Sequence, residues 1–566
     1  MIRFDRQTFS RFWKVVRLML VSEARWKAFG LLLLIAAFSL SLSGLNVLRS
    51  YVDRDFMNAL AQRDQARFFK EMSKYILVFG VMVPLAVFYR YTEERLGLFW
   101  RNWLSRKVID SYFAKGAFYR IGIERQIDNP DQRIEEDIRT FTVSTLSFTL
   151  ILFNSCIALI AFVSILWSIS GVLMAGAVVY ALIGSVVTYY LGRPLMGLNF
   201  AQLRKEADYR YKLVNVRDFS ESIAFYRGEA REKLRVKDRL ADAVRNMRSI
   251  IDWNRNLGFF TNGYNYVLAI LPTILVAPLY LQGKIEFGVV IQAAGAFGQV
   301  LGALSIIVVH FGGLSSLAAV ATRLGSFWET IEQAHEANDS PHNRVHIEDA
   351  PLISFDNVTL LTPNREQALV KDLSFTLEAG DRLLINGPSG SGKSSLLRLI
   401  GGLWSAGSGT IHRPPPSQCM FLPQRPYMLL GSLRSQFLYG TLREEVSDSE
   451  LQQILKLTGL EDTVSRVGDM DREEDWKSLL SLGEQELIAF ARVLVVRPRF
   501  LFLDEASNAI DESRRDLLYA ELQRLGIQYL SVGSRSELGQ FHNKVLELEG
   551  RGGWKISTLP TTGGAI

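Results

Sequence analysis

Cysteine is almost missing from this chain: Cys156 and Cys419 are the only two in 566 residues. One lies in an apolar run and the other near a nucleotide-type glycine loop, so neither a disulfide framework nor a cysteine metal site is available. Histidine offers no substitute, since His335, His342 and His346 share one polar stretch without the spacing of metal ligands. A strong charge of either sign is also absent. Lys and Arg number 64 against 58 Asp and Glu, a net +6, so nucleic acid is not an expected partner. The most consequential gap is local: between Arg139 and Arg193 no side chain is charged. That is room for two membrane crossings, because one helix spans a bilayer with about 20 apolar residues.

What is present divides in two. Hydrophobic residues make up 48% of the chain and mean hydropathy is +0.11, with the apolar excess ahead of residue 325. The length exceeds what one core serves, so a membrane half and a nucleotide half are expected. Residues 1–334 read as the membrane half. It opens on an amphipathic helix at 9–20 that sets Phe9, Phe12, Trp13, Val16, Met19 and Leu20 among Arg11, Lys14 and Arg17, suited to the inner membrane surface. The apolar run that follows is too long for a cleaved leader and has no small-residue cleavage site. Spans are then expected at about 28–48, 75–93, 141–168, 171–192, 257–282 and 287–312, the last with its helix continuing to Thr322. The segment after the second span holds Arg95, Arg101, Arg106, Lys107, Lys115 and more. The one after the fourth is similarly basic. By the positive-inside rule both long loops and the N-terminus face the cytoplasm, and six spans return residues 323 onward to that side.

Residues 335–350 are polar with Pro341 and read as a linker, leaving 351–566 as the nucleotide half. There the apolar run Leu383-Leu384-Ile385 leads into Gly387-Pro388-Ser389-Gly390-Ser391-Gly392-Lys393-Ser394, followed by a leucine-rich helix from Ser395. This is the phosphate-loop spacing, in which glycines bring backbone N–H groups onto phosphate oxygens at a helix N-terminus. Lys393 suits the β- and γ-phosphates and the Ser394 hydroxyl suits Mg²⁺. Gln424 follows an apolar stretch, where its side-chain carbonyl could complete the Mg²⁺ shell or position water. Ser481 and Gly483 open a helical run and make a second anion site. Phe500 to Leu503 is an apolar strand ending in Asp504, suited to Mg²⁺ through water, and Glu505, placed to polarise an attacking water.

In this order the motifs resemble those of the ABC transporters: phosphate loop, glutamine loop at Gln424, signature at Ser481–Glu484, the Asp504–Glu505 strand and a D-loop-like Asn508-Ala509-Ile510-Asp511. More narrowly, Pro423-Gln424-Arg425-Pro426-Tyr427 with Gly431-Ser432-Leu433, Asn129-Pro130-Asp131-Gln132-Arg133 and Glu221-Ser222-Ile223-Ala224-Phe225-Tyr226 look like the peroxisomal fatty-acyl (subfamily D) half-transporters and the bacterial SbmA/BacA-like group. The resemblance implies an all-α six-helix transmembrane domain of the exporter type followed by an α/β P-loop NTPase domain. It implies ATP and Mg²⁺ as cofactors, with ATP on Gly387 to Ser395, Mg²⁺ on Ser394, Gln424 and Asp504, and catalysis by Glu505 with Gln424. It further implies a dimer, most simply of identical chains with a heterodimer as the alternative, in which Ser481, Gly483 and Glu484 of one chain close over the ATP of the other. A bacterial inner membrane is the implied location, with a peroxisome-type organelle membrane as the alternative.

Three departures stand out. Leu482 and Glu484 replace the usual signature glycine and glutamine. No Tyr or Phe stands in Leu360 to Pro363 to stack on adenine. Ser534 occupies the place of the switch histidine and, unlike it, cannot carry a positive charge. The leading expectation is ATP-driven transport of a hydrophobic, amphipathic, peptide-like or vitamin-like cargo. A proton-coupled transporter with a weakly hydrolysing nucleotide domain is the alternative, with Glu93, Glu94 and Glu286 as its nearest carboxylates. A cargo-free ATP sensor is the third reading, and Glu505 argues against it.

Overall fold

The computed structural model describes residues 6–124, 127–306, 310–339, 344–362, 365–440, 446–468 and 470–559. The chain divides into two compact units. One comprises residues up to Ala117 together with 125–334; the other takes Phe118–Glu124 and everything from His335.

The first unit is helical. After α1 (Arg6–Leu20) come α2 (Arg25–Ala61) and α3 (Gln65–Phe113), then helices Ile138–Ile169, Gly171–Asp218, Glu229–Leu281 and Phe287–Leu304. Among the described residues six helices are long and apolar enough to cross a membrane. Most far exceed a bilayer: the 53 residues of Glu229–Leu281 run about 80 Å. Helix α3 starts where Asp64 caps the Arg67 N–H at 3.0 Å and runs through Pro84. The expected short second span is therefore the apolar middle of a long rod.

Two expectations change. The sixth span is not one helix from Phe287 to Thr322, or even to 312: its helix ends at Leu304 with a turn at Ser305, Ile306 is helical again, and the next described helix is Phe311–Asp339, with 307–309 outside the described residues. Gly295, Gly298 and Gly302 each weaken that helix by up to about 1 kcal/mol. The amphipathic helix also divides its apolar side chains. Val15 and Met19 are buried against the bundle, while Phe9 and Trp13 are 61% and 51% exposed.

Spans three to six share a core of Phe162, Leu166, Ala177, Val276, Phe297 and Val300. Polar ties set their alignment. Ser39 bonds Asn154, which donates to the Tyr89 hydroxyl at 2.9 Å, and the Asn58 side-chain Oδ1 accepts the Gly288 N–H at 2.6 Å.

The second unit is α/β. Six strands pair in the order β12 (Gly553–Thr558), β11 (Lys544–Gly550), β4 (Leu383–Asn386), β10 (Gln528–Val532), β9 (Phe500–Asp504) and β6 (Cys419–Leu422). All neighbours are parallel except β11 and β12. Phe500 to Leu503 are buried on both faces, as strands inside a covered parallel sheet must be. A second sheet orders β1 (His346–Asp349), β5 (Gly407–Arg413), β2 (Ser354–Leu361) and β3 (Ala368–Thr376), and β7 (Leu430–Ser432) pairs β8 (Glu473–Asp475). Within the stretch expected as a linker, 335–339 complete the preceding helix and His346–Asp349 pair with Thr410–Arg413. Residues 340–343, with His342, lie outside the described residues.

Candidate functional site

Parallel α/β sheets place ligands beyond the carboxyl ends of their strands, and there the expected residues gather. Gly387 follows β4 and Lys393 opens the helix Lys393–Ile400. Between them Gly390 and Gly392 take φ of 80° and 102°, left-handed values that cost a residue with a Cβ. At Gly387 the demand is spatial as well: a Cβ would stand 2.4 Å from the Leu548 carbonyl oxygen. Pro388, Ser389 and Gly390 are exposed and Ser391 is buried, its hydroxyl without a hydrogen-bond partner. The Lys393 ammonium folds back onto the loop, donating to the carbonyls of Gly387 at 2.8 Å and Pro388 at 3.0 Å. Ser394, one residue on, donates its hydroxyl to Asp504 Oδ1 at 2.8 Å across 110 positions of sequence. Ser395 follows in the first helical turn.

Register explains the next pair. Strands β6 and β9 align Leu422 with Leu503, so the residues two beyond each, Gln424 and Glu505, emerge side by side. Gln424 Nε2 donates to Glu505 Oε2 at 2.9 Å, and Asn508 Nδ2 reaches the same oxygen at 3.4 Å. Glu505 itself has φ of 52°. A non-glycine there stores roughly 1–3 kcal/mol, a cost that clusters at working sites, and its N–H is anchored to the Val532 carbonyl at 3.2 Å. Strand β10 pairs Val532 with both Asp504 and Ile385. Ser534 therefore leaves the same end of the sheet, exposed, its hydroxyl 2.7 Å from that of Ser536.

The signature residues form a separate arrangement at the N-terminus of helix Leu482–Val496. Ser481 caps it, and Glu484 completes a reciprocal capping box. Ser481 N–H donates to Glu484 Oε2 at 2.9 Å, and Thr463 and Arg466 hold Oε1 at 2.8 Å and 2.7 Å. Burial alone would raise the Glu484 carboxyl, but the Ser481 N–H, the Thr463 and Ser481 hydroxyls and Arg466 outweigh it and hold it below the usual glutamate value. The departure to glutamate is thus fully accommodated. Leu482 is 48% exposed. Gly483 packs so closely that a Cβ would meet the Ala509 carbonyl oxygen at 2.7 Å. Asp511 caps the helix Glu512–Arg524, accepting from the Arg514 N–H at 3.0 Å and the Ser513 hydroxyl at 2.7 Å.

Sequence reasoning missed three groups here. Glu486, 1% exposed, accepts the Ala509 N–H at 2.9 Å. Arg492 is buried on the inner face of the signature helix itself, donating to the Gln436 carbonyl at 2.6 Å and lying over the Tyr439 ring; burial pulls it down to about 10. His542 is buried with Nε2 2.9 Å from the Ser531 hydroxyl on β10, and burial draws it down to about 4. The signal available for the first two was a charge among apolar neighbours. Around the adenine-stacking stretch, Leu360 is buried and the Thr362 N–H bonds to the Gln367 carbonyl at 2.9 Å, while Pro363 lies outside the described residues.

The geometry meets its counterparts in known proteins. Residues 15–281 match the family described as ABC transporter transmembrane region 2, and residues 370–508 match the family described as ABC transporter. An ABC transporter ATP-binding protein of Synechocystis is 42% identical over 546 residues, covering 95% of this chain and 83% of that protein. The chloroplastic ABC transporter D family member 2 of Arabidopsis thaliana is 37% identical over 604 residues, covering 95% and 86%. A solved bacterial Atm1-family ABC exporter with ATP bound shares the fold, with TM-score 0.67 at 19% identity over 91% of this chain and 93% of that one. A membrane half of six crossing helices joined to a nucleotide-binding α/β half that hydrolyses ATP to drive transport identifies the chain as a member of the ABC transporter family, a half-transporter with relatives in subfamily D.

Proposed function

We propose that two copies of this chain form the working transporter, each phosphate loop holding an ATP that the signature of the partner copy closes over. One observation carries this reading: a single phosphate loop and a single signature per chain, the latter presented at an exposed helix N-terminus whose Ser481 is occupied by its own Glu484. ATP would lie along Gly387 to Ser395, with the unpartnered Ser391 hydroxyl among its polar contacts. The oxygens of Ser394, Asp504 and Gln424 are a hard donor set suited to Mg²⁺, and the 2.8 Å contact between Ser394 and Asp504 supports their sharing a site. When bound, Mg²⁺ neutralises charge on the transferring phosphoryl group. Glu505 orients and deprotonates water, and Gln424 fixes its carboxylate. Ser481, Gly483 and Glu484 shape the surface that meets the partner's nucleotide, and Asp511 fixes the D-loop beside them. Ser534, lacking a positive charge, leaves the γ-phosphate less well held. The ATPase half faces the cytoplasm across what is most simply a bacterial inner membrane.

The cargo proposed is hydrophobic, amphipathic, peptide-like or vitamin-like, since the crossing helices at 140–192 carry no charge with which to bind a strongly ionic solute. Replacing Ser389 and Ser481 by cysteine, with Cys156 and Cys419 removed and Glu505→Gln added to retain ATP, tests the assembly. Inter-chain cross-links that form with ATP and Mg²⁺ and fade without them are expected; none under any nucleotide condition would overturn the reading.

A further inference from the structure

The N-terminal helix α1 carries two faces with different work. Toward the bundle, Thr8, Val15 and Met19 are buried. Arg11 binds Glu329 at 2.9 Å and Lys14 binds Glu332 at 2.5 Å, both on the helix Phe311–Asp339 from which the chain enters the nucleotide-binding unit. Contact is close enough that a Cβ on Gly325 would lie 2.6 Å from Arg11 Cβ. At 100° per residue, Arg6, Phe9, Trp13 and Arg17 share the opposite face, and all four are exposed. The alternation is basic, aromatic, aromatic, basic. Five residues past α1, Arg25 and Trp26 open the first crossing helix, the guanidinium 5.4 Å from the indole, and Lys27 is exposed beside them. Among exposed side chains from Arg6 to Lys27, only Glu23 opposes this charge.

We propose that this outer face is a binding site for anionic phospholipid headgroups, and that its occupancy sets the ATPase rate through Arg11–Glu329 and Lys14–Glu332. The chemistry selects the occupant. Tryptophan and phenylalanine settle at the headgroup boundary, arginines at both ends of the aromatic pair meet phosphate oxygens, and the adjoining span fixes the face at that depth. A protein partner would leave the aromatics facing lipid. A zwitterionic lipid, whose phosphate is offset by its own choline, would leave the net positive charge of this face unbalanced.

The test uses the full chain in nanodiscs, with a bimane label on Ser10→Cys at the edge of the outer face and the native cysteines removed. Brominated phosphatidylglycerol should quench the label more than brominated phosphatidylcholine at equal mole fraction. With each basic residue worth about fivefold at an anionic surface, Arg6→Gln/Arg17→Gln should cut that preference roughly 25-fold. ATPase activity of the parent should rise with phosphatidylglycerol. In Glu329→Gln/Glu332→Gln the quenching preference should persist while the ATPase response disappears. Equal quenching by both lipids overturns the site; a lipid response that survives loss of both glutamates overturns the coupling. Quenching needs no hydrolysis, so a failure of the two-site ATPase reading is distinguishable from a failure of this one.

Discussion

The Glu486 carboxylate accepts the backbone N–H of Ala509 at 2.9 Å, joining the signature helix to the D-loop of the same chain. Gly483 holds the other side of that residue, at the Ala509 carbonyl, and Asn508 next to it reaches Glu505 at 3.4 Å. In the proposed dimer, a displacement of the signature would pass through Ala509 and Asn508 to Glu505, the proposed general base. Burial pushes the Glu486 carboxyl above its usual value, so the charged form is what folding disfavours. The carboxyl's stabilising contribution is full below about 4.5 and is lost as pH rises through the higher folded value. Glu486→Gln keeps an acceptor for Ala509 and removes the buried charge. At pH 7.5 it should unfold at or above the parent temperature, whereas Glu486→Ala, which strands the N–H, should cost about 1–3 kcal/mol. Thermal unfolding of the full chain at pH 5 and 7.5 reads both.

The pair Gln424–Glu505 and the serine at 534 make separable predictions about rate. Glu505→Gln should lower ATP turnover by about 10²–10⁴-fold with ATP affinity retained, as steady-state hydrolysis and filter binding would show. Ser534→His restores a group able to carry charge where the Ser534 hydroxyl now faces Ser536. An increase in turnover of about tenfold, or 1.4 kcal/mol in barrier, is expected. No increase would show that phosphate contact at this position does not limit the cycle.

His542 predicts an acid-side loss of stability. Its ring is 2% exposed, bonded to the Leu538 carbonyl at 2.7 Å and the Ser531 hydroxyl, and titrates down at about 4 because burial disfavours its charge. The unfolded chain takes up the proton near 6.5 and the folded one does not. Stability is therefore complete above about 6.5 and falls by up to about 3 kcal/mol as pH drops toward 4. The unfolding temperature of His542→Gln should lack that part of the slope between pH 6.5 and 4.5.

The features that the amino-acid sequence reveals by itself divide from the rest along a physical line. The phosphate loop was legible because Gly390 and Gly392 are demanded by their own backbone angles and the neighbouring strand and helix announce themselves in a dozen residues. Spans three and four were legible because burial in lipid forbids charge residue by residue. The Glu486–Ala509 bond was not, since nothing in Glu486 specifies a partner 23 positions away. The interruption after Leu304 was hidden for the opposite reason: an apolar run satisfies a membrane whether or not its backbone stays helical. Polar composition at 335–350 was equally blind to strand pairing, because His346–Asp349 form a mostly exposed edge whose partner β5 lies some 60 residues on.

A stacked tyrosine pair between the fourth and fifth spans yields the last prediction. Tyr180 and Tyr264 stack with ring centroids 4.3 Å apart, and each hydroxyl donates to the other's backbone carbonyl, at 2.6 Å and 3.0 Å. Gly184, one turn beyond Tyr180, makes room: a Cβ would lie 2.3 Å from the Tyr264 hydroxyl oxygen and 2.4 Å from its ring. Gly184→Ala must therefore expel Tyr264 from the stack, losing two hydrogen bonds worth about 0.6 kcal/mol each within a membrane and adding strain of about 1–3 kcal/mol. In a Tyr264→Ala background the nearest atoms that the new Cβ would meet are gone, and the same substitution should cost far less. A thermal-unfolding double-mutant cycle in detergent should show a coupling above about 1 kcal/mol; additivity would mean that the two spans are held together elsewhere.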